Sequence, residues 1–163
     1  MSRTVLALLV IVALLAGCDD QDQPYVKFEG GGFMFNYRIA EAFYGFSLRP
    51  MRKLPAGPVL EAEFEDPSGG PAFHERQTVG EPKLRYLFRT PALKGIRANV
   101  PYRAKILVRQ AGTGSLLATY ERTFTSDADQ SELPEIPLVP GPAYQRNPDL
   151  AGCKDPAVGM GCG

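Results

Sequence analysis

Few residues of this chain have side chains suited to catalysis. The sequence has one histidine, His74, and no second histidine follows it at the spacing of a zinc metalloprotease helix. Ser115 follows Gly114 but is one residue out of the Gly-x-Ser-x-Gly frame that exposes a hydrolase nucleophile. A histidine-based triad is therefore not indicated. We interpret His74 as a surface or half-buried strand residue and predict that the protein is not an enzyme.

Two segments partly match the sequence patterns of ligand-binding loops. The glycines of 30–32 would allow a phosphate to approach the backbone, but no Lys-Ser/Thr pair follows them, so we predict a turn or bulge. Asp127 and Asp129 begin like a calcium loop, yet Glu132 stands where the loop needs glycine and Leu138 where it needs a bidentate acid. The sequence therefore predicts neither a metal ion nor a cofactor.

The strongest chemical signal is a cysteine that directly follows an apolar segment. Arg3 precedes the apolar run Val5 to Leu15, whose length of about 11 residues is well short of the roughly 20 needed to span a bilayer. Residues 1–17 are therefore predicted to be a signal peptide. Leu14 to Cys18 reads L-L-A-G-C and resembles a bacterial lipobox. The resemblance implies cleavage before Cys18 and lipidation of its thiol; the alternative is a secreted protein with an incidental cysteine.

If Cys18 is acylated, two of the three cysteines remain for other chemistry. Cys153 and Cys162 could then close a ten-residue loop as a disulfide in an oxidising periplasm. The chain-entropy model gives such a loop about 2.7 kcal/mol of stabilisation. A two-cysteine metal site is the rival interpretation, but no histidine lies nearby and zinc prefers four ligands.

Residues 18–24 form a short polar tether that carries Asp19, Asp20 and Asp22. At no more than about 3.5 Å per residue, the tether reaches only some 20 Å, so the folded domain is expected to lie close to the membrane. Asp19 directly after the cysteine resembles the signal that retains lipoproteins in the inner membrane of enteric bacteria. We therefore expect a lipid-anchored protein that faces the periplasm, with the inner membrane slightly favoured over the outer.

Composition indicates an ordinary β-rich domain. The 163 residues are 44% hydrophobic and 22% charged, with 17 glycines, 15 prolines and no tryptophan. Many turns and few long helices follow from that content. The formal net charge is zero, and loss of Arg3 with the leader leaves it near −1. Net charge therefore argues against a nucleic-acid partner.

Residues 25–126 alternate between apolar and polar side chains. The alternation predicts strands over 25–29, 33–40, 43–49, 60–65, 72–79, 84–89, 102–109 and 116–124. Such closely spaced strands predict an all-β fold, an antiparallel β-sandwich. Tyr102, which opens the penultimate strand after Leu93 and Ile96, resembles the tyrosine corner of immunoglobulin and fibronectin type III folds. The resemblance implies the architecture and leaves the strand order open.

Residues 127–163 form a second segment of different composition. The run from Leu133 to Pro142 contains four prolines, a density that no helix or central strand tolerates. We predict an extended Pro/Gly-rich tail that lies along the sandwich and ends in the cysteine loop.

A candidate binding surface follows from the aromatic and basic residues near the start of the domain. Half of the aromatic side chains are expected to fill the core, and any on the opposite face would offer a platform to sugar rings or to a partner's apolar patch. The basic residues occupy a loop that could touch anionic headgroups, although the acidic tether opposes this. The members of this surface are Phe33, Phe35, Phe43, Tyr44, Arg49, Arg52 and Lys53.

A stripe of glutamates runs along one predicted strand, and a stripe of cations runs along another. If the two strands are neighbours, cross-strand ion pairs account for both stripes without any partner. The residues concerned are Glu61, Glu63, Glu65, Arg103, Lys105 and Arg109.

Two functional hypotheses remain. The first is a non-catalytic, membrane-anchored periplasmic lipoprotein that binds a protein partner or assists assembly of the envelope. The alternative is a lipoprotein that binds a glycan or small solute through exposed aromatic residues.

Overall fold

The computed structural model describes residues 22–54, 57–81, 83–142 and 144–162. The described part of the chain is built from β-strands, two short 3-10 helices and connecting turns. The strands are β1 (Val26–Asn36), β2 (Glu41–Pro50), β3 (Val59–Phe64), β4 (Phe73–Thr78), β5 (Tyr86–Arg89), β6 (Pro101–Arg109) and β7 (Leu116–Thr125). The 3-10 helices cover Gln130–Glu132 and Pro148–Gly152.

The strands form two antiparallel sheets that pack face to face as a β-sandwich. One sheet has three strands in the order β1-β2-β5, and the other has four in the order β4-β3-β6-β7. The fourth strand pairs with β3 rather than with β5, which distinguishes this order from the immunoglobulin constant type, in which the fourth and fifth strands lie in one sheet. The predicted fold class is confirmed, and the structure supplies the strand order that the sequence left open.

The core is built from inward-facing side chains of both sheets. On β2, Tyr44, Phe46 and Leu48 are buried, as the alternating pattern predicts. On β3 across the sandwich, the Phe64 ring lies 5.2 Å from the ring centroids of both Tyr44 and Phe46. Burial of each such side chain contributes about 1.5–3 kcal/mol. Because the described core begins at Val26, every residue that builds it lies after the tether.

The predicted tyrosine corner is present at the start of β6. The Tyr102 hydroxyl oxygen accepts a hydrogen bond from the Arg97 backbone N–H at 2.9 Å. Leu93 and Ile96, which precede this contact, are buried in the core. The contact fixes the loop that carries the chain from one sheet to the other.

The glycine segment 30–32 continues β1 and does not form a turn. A register shift between Phe28 and Gly30 marks a β-bulge, so the bulge is the alternative that the structure adopts. A Cβ atom on Gly31 would lie 2.6 Å from the Gly45 carbonyl oxygen and 2.6 Å from the Phe124 ring. Only glycine fits this position, because an added side chain would be directed into the core side chains Phe46 and Phe124.

The strand predicted from residue 84 begins two residues later, at Tyr86. Tyr86 pairs with Leu48 of β2, so the position opposite Leu84 would be Pro50, which has no N–H to donate. Leu84 therefore lies outside the sheet, with its side chain 93% exposed.

The tail is more folded than the predicted extended segment. The Asp129 side chain caps the first 3-10 helix, and the Asn147 side chain caps the second. Such local side-chain bonds satisfy backbone groups where proline prevents regular structure. Leu133 joins the core of the sandwich, and the Val139 N–H donates to the Arg38 carbonyl at 3.1 Å. The tail thus packs against the end of the sandwich that carries the β1–β2 hairpin.

The tail ends in the predicted disulfide between Cys153 and Cys162. Within the loop that this bond closes, Asp155 and Met160 form an antiparallel bridge. The Glu135 carboxylate accepts hydrogen bonds from the backbone N–H groups of Cys162 at 2.8 Å and Gly161 at 3.0 Å. These bonds, that from Cys162 foremost, lower the pKa of Glu135. The carboxylate therefore holds the loop against the rest of the tail.

Tyr102→Phe tests the tyrosine corner. The substitution keeps the ring but leaves the Arg97 N–H without its acceptor, so we expect the free energy of unfolding to fall by about 1 kcal/mol. Urea denaturation measures this change. Tyr37→Phe, at a tyrosine that is 45% exposed, is the matched control and should change stability little. An equal effect of the two substitutions would contradict a structural role for the corner.

Candidate functional site

Two glutamates and two cations of the predicted stripes meet as ion pairs because β3 and β6 are neighbours, whereas the Arg103 side chain pairs with Glu121 of β7. Lys105 Nζ lies 2.9 Å from Glu63 Oε1, and Arg109 Nε lies 2.8 Å from Glu61 Oε2. Arg76 on β4 also donates to Glu61, at 3.1 Å. Each of these two glutamates is therefore paired with a cation on the outer face of the four-stranded sheet, so neither carboxylate requires a partner molecule.

His74 lies at the edge of this network rather than in a catalytic cleft. Its Nδ1 atom is 3.8 Å from Glu61 Oε1, and its side chain is 54% exposed. Glu61 is already held by Arg76 and Arg109, and no serine, threonine or cysteine of the described ranges hydrogen-bonds the histidine. In the same part of the chain, no three His, Cys, Asp or Glu residues are grouped to hold a metal ion.

Most of the predicted aromatic surface belongs to the core. Tyr44 is fully buried, and its hydroxyl donates to the Glu65 carbonyl at 2.8 Å. This burial raises the pKa of Tyr44 well above its usual value. Phe33 stacks on Tyr44 with 4.8 Å between ring centroids, and Phe35 also packs against the core. Tyr44 is thus excluded from any exposed platform. Phe33 and Phe35 are half-buried against the core, and Phe33 also lines the groove described below.

Phe43 is the member of the aromatic set that lies on the outer face of the three-stranded sheet. The outward position of Phe43 follows from the alternation of β2, because the neighbouring residues Ala42 and Tyr44 are fully buried. The Arg89 guanidinium lies 4.3 Å from the centre of the Phe43 ring. The pair forms a cation–π contact between β2 and β5.

A shallow groove of about 500 Å³ lies beside this pair, and we call it the glycine groove. Across the sheet, Gly32 of β1 pairs with Gly45 of β2, which pairs with Arg89 of β5. A Cβ atom on Gly45 would clash with the Phe88 carbonyl oxygen, so no larger residue fits there. The floor of the groove is therefore backbone.

The walls of the glycine groove include exposed apolar side chains. Met34 on β1 is 47% exposed and Leu87 on β5 is 67% exposed. The sequence prediction missed both residues, together with Gly45 and Arg89. Their outward positions could be read from the alternation of each strand, but only the pairing of β1, β2 and β5 brings them to one place.

The predicted basic loop lies at the end of the sandwich where the tether enters. Arg49 Nε is 3.8 Å from Glu29 Oε1, and the Arg52 guanidinium is 3.7 Å from the centre of the Tyr25 ring. Lys53 is exposed. These three cations therefore do not form one cluster, and they do not adjoin the glycine groove.

A second cavity, of about 240 Å³, opens between this loop and the chain that follows β4; we call it the basic pocket. Its lining combines apolar side chains with the cations Arg52, Lys53 and Lys83. The other side chains that define it include Pro50, Leu54, Pro58, Val79 and Tyr86.

The predicted lipidation site, Cys18, lies outside the described residues, as do the signal peptide and most of the tether. Among the residues that are described, no helix has the length and apolar character needed to cross a membrane.

Comparison with known proteins gives only distant structural likeness. No family model matches the chain, and no curated protein matches it. A crystal structure of Bacteroides uniformis beta-glucuronidase, and one of the D341A D367A calcium binding mutant of its beta-glucuronidase 2, each superpose with a TM-score of 0.41 at 13% identity. The match covers 63% of this chain and 14% of theirs. OgpA from Akkermansia muciniphila gives a TM-score of 0.39 at 17% identity, over 67% of this chain and 29% of that one. This chain thus spans a small part of each.

Glu61→Gln tests the charge network. The hydrogen bond from Arg109 lowers the pKa of Glu61 most, with a further contribution from Arg76. A carboxylate whose pKa is lowered by folding stabilises the fold above its unfolded pKa of about 4.3. That stability is lost as the pH falls through the folded value. We expect Glu61→Gln to lower the free energy of unfolding by about 1–3 kcal/mol at neutral pH, and by less near pH 2.5.

Urea denaturation across this pH range measures the effect. Glu63→Gln is the matched control, because its ion pair with Lys105 is more exposed and is expected to contribute at most about 1 kcal/mol. A Glu61→Gln effect that does not change with pH would contradict the assignment.

Proposed function

We propose that this chain is a non-catalytic lipoprotein of the bacterial cell envelope, lipid-anchored at Cys18 and facing the periplasm. Its sandwich binds a protein partner, or helps to assemble an envelope complex, through the glycine groove. The lipobox-like run Leu14 to Cys18 supports the anchor, and Asp19 favours the inner membrane over the outer. The observation that carries the binding role is the exposed apolar groove with a backbone floor.

The shape of the groove suits an apolar segment of another protein. Gly32 has no atom within 4 Å of the position that its Cβ would occupy, so a partner's side chain can reach the sheet backbone there. Met34 and Leu87 supply exposed apolar walls on opposite strands. Exposed apolar surface of this kind marks interaction sites on soluble domains. The nearest cation, Arg89, is already stacked on Phe43.

The edge of the sheet beside the groove is already hydrogen-bonded, so a partner is expected to bind the face of the sheet. The free edge of β5 is occupied by side chains from β4, since the Arg89 N–H donates to Glu75 Oε2 at 2.9 Å. The Leu87 carbonyl likewise accepts a hydrogen bond from Gln77 Nε2. Addition of a partner strand at this edge would have to break these bonds. A partner that packs on the glycine groove breaks none of them.

The alternative, binding of a glycan or small solute, has less support. Sugar recognition by aromatic stacking needs an open ring face. Tyr44 is buried, Phe33 and Phe35 pack against the core, and the Phe43 ring is covered by Arg89. A sugar would therefore have to displace the Arg89 guanidinium before it could stack in this groove.

The anchor is tested by metabolic labelling with palmitate in the native envelope. We expect the wild-type chain to incorporate label and Cys18→Ala to lose it, because the thiol is the acceptor. Cys153→Ala, which removes a cysteine of the tail disulfide, is the control and should keep the label. Label that persists in Cys18→Ala would remove the anchor from the proposal.

The groove is tested by photocrosslinking of the full chain in its native envelope. A photoreactive phenylalanine analogue replaces Leu87 on the groove wall, and we expect a discrete crosslinked protein. Gly32→Gln should abolish the crosslink, because the new side chain fills the groove without meeting any atom within 4 Å at its Cβ. Gly141→Gln places the same side chain in open space on the tail and should leave the crosslink intact.

The same probe at Leu116, which is 53% exposed on β7, reports non-specific capture. Equal crosslinking at both positions, or a crosslink that survives Gly32→Gln, would reject the groove as the protein-binding site. An oligosaccharide that binds the wild type but not Phe43→Ala would favour the glycan alternative instead.

A further inference from the structure

The end of the sandwich where the tether enters differs in character from the opposite end. Antiparallel pairing places the start of β1 beside the end of β2, with Val26 opposite Pro50. Tyr25 is fixed there by two hydrogen bonds: its N–H donates to Tyr120 Oη at 2.9 Å, and its carbonyl accepts from the Met51 N–H at 3.1 Å. The entering chain therefore leaves the domain immediately beside the basic loop.

The basic pocket opens at this same end. Pro50 ends β2, Pro58 precedes β3, Val79 follows β4 and Tyr86 begins β5, and all four line the pocket. Its volume of about 240 Å³ is below the roughly 300–1,000 Å³ of sites that enclose a drug-sized ligand. It therefore suits one small group at the end of a larger molecule.

The two chain segments that border the pocket carry an excess of positive charge. The segments 51–58 and 79–85 contain four cations and a single carboxylate, Glu81. Arg85 is paired with Glu29 at 2.6 Å. Lys53 and Lys83 are exposed and form no ion pair with any residue of the described ranges. Two ammonium groups beside an apolar cavity suit an anionic group joined to an apolar body.

We infer that the basic pocket seats the headgroup of an anionic phospholipid, so that the tether end of the sandwich lies against the membrane. The inference rests on the proposed lipid anchor, because the tether of about 20 Å confines this end to the bilayer surface. The lysines contact the phosphate, and the apolar lining contacts the glycerol backbone and first acyl carbons. The glycine groove, on a face of the sandwich, stays accessible to a protein partner.

The test uses the chain from Asp19 onward, which contains every described residue and lacks the acylated cysteine. Vesicles of phosphatidylethanolamine with phosphatidylglycerol are compared with vesicles of phosphatidylcholine alone by flotation. We expect binding to the anionic vesicles only. A cation near an anionic leaflet contributes about a fivefold gain in binding, so Lys53→Gln with Lys83→Gln should weaken binding roughly 25-fold.

Lys94→Gln with Lys154→Gln is the matched control, because both lysines are exposed and lie toward the opposite end. We expect this pair to bind as the wild type does. Gly80→Leu, where nothing lies within 4 Å of the added Cβ, fills the pocket without removing charge and should also weaken binding. Inorganic phosphate at millimolar concentration should not displace the vesicles.

Equal losses in the two lysine pairs, binding to phosphatidylcholine that matches binding to phosphatidylglycerol, or full binding by Gly80→Leu would each overturn the inference. Displacement by inorganic phosphate would overturn it as well, by assigning the pocket to a free anion. None of these outcomes depends on acylation of Cys18, so failure of the pocket and failure of the anchor are separate results.

Discussion

The buried tyrosine of β2 is the interaction on which the rest of the structure depends. Tyr44 belongs to the three-stranded sheet, and its hydroxyl donates to the Glu65 carbonyl beside β3, with the Arg103 carbonyl 3.2 Å away. Its own N–H donates to the buried Thr90 hydroxyl at 3.1 Å. A buried polar group is stable only when it is hydrogen-bonded. The contacts of the hydroxyl reach the four-stranded sheet and therefore fix the spacing of the two sheets. Since successive side chains of a strand alternate in direction, an inward Tyr44 places Phe43 and Gly45 outward.

The outward side of that same strand explains why the glycine groove exists. β5 approaches β2 so closely that the Phe88 carbonyl leaves no room for a Cβ atom on Gly45. The outer face of the sheet therefore has no side chain at this position. Gly32 lies opposite Gly45, and neither residue places a side chain on the outer face between Met34 and Leu87. The side-chain alternation of β2 therefore determines both the core of the sandwich and the candidate binding surface.

The glutamates of the four-stranded sheet are paired with cations, whereas two lysines near the tether form no ion pair with the described residues. On the four-stranded sheet, Glu61 and Glu63 are matched by Arg109 and Lys105 across the β3–β6 pairing. Cross-strand pairs of this kind account for most of the cations that the sequence places on strands. The exposed lysines near the tether have no such partners within the described chain, and the folded tail lies at the opposite end. The proposed membrane contact and the proposed protein contact therefore occupy different parts of the domain.

The sequence alone predicted the fold class, the tyrosine corner and the tail cysteine pair. Strand alternation, the position of a tyrosine at the start of a strand and the number of cysteines can all be read directly from the order of residues. It also predicted a lipid anchor at Cys18, which lies outside the described residues. Only the tertiary structure decided the strand order, the bulge at Gly30 and the meeting of Gly32, Gly45 and Arg89, which are far apart in the chain. Register between strands depends on packing of whole faces, and that is a property of the assembled sandwich.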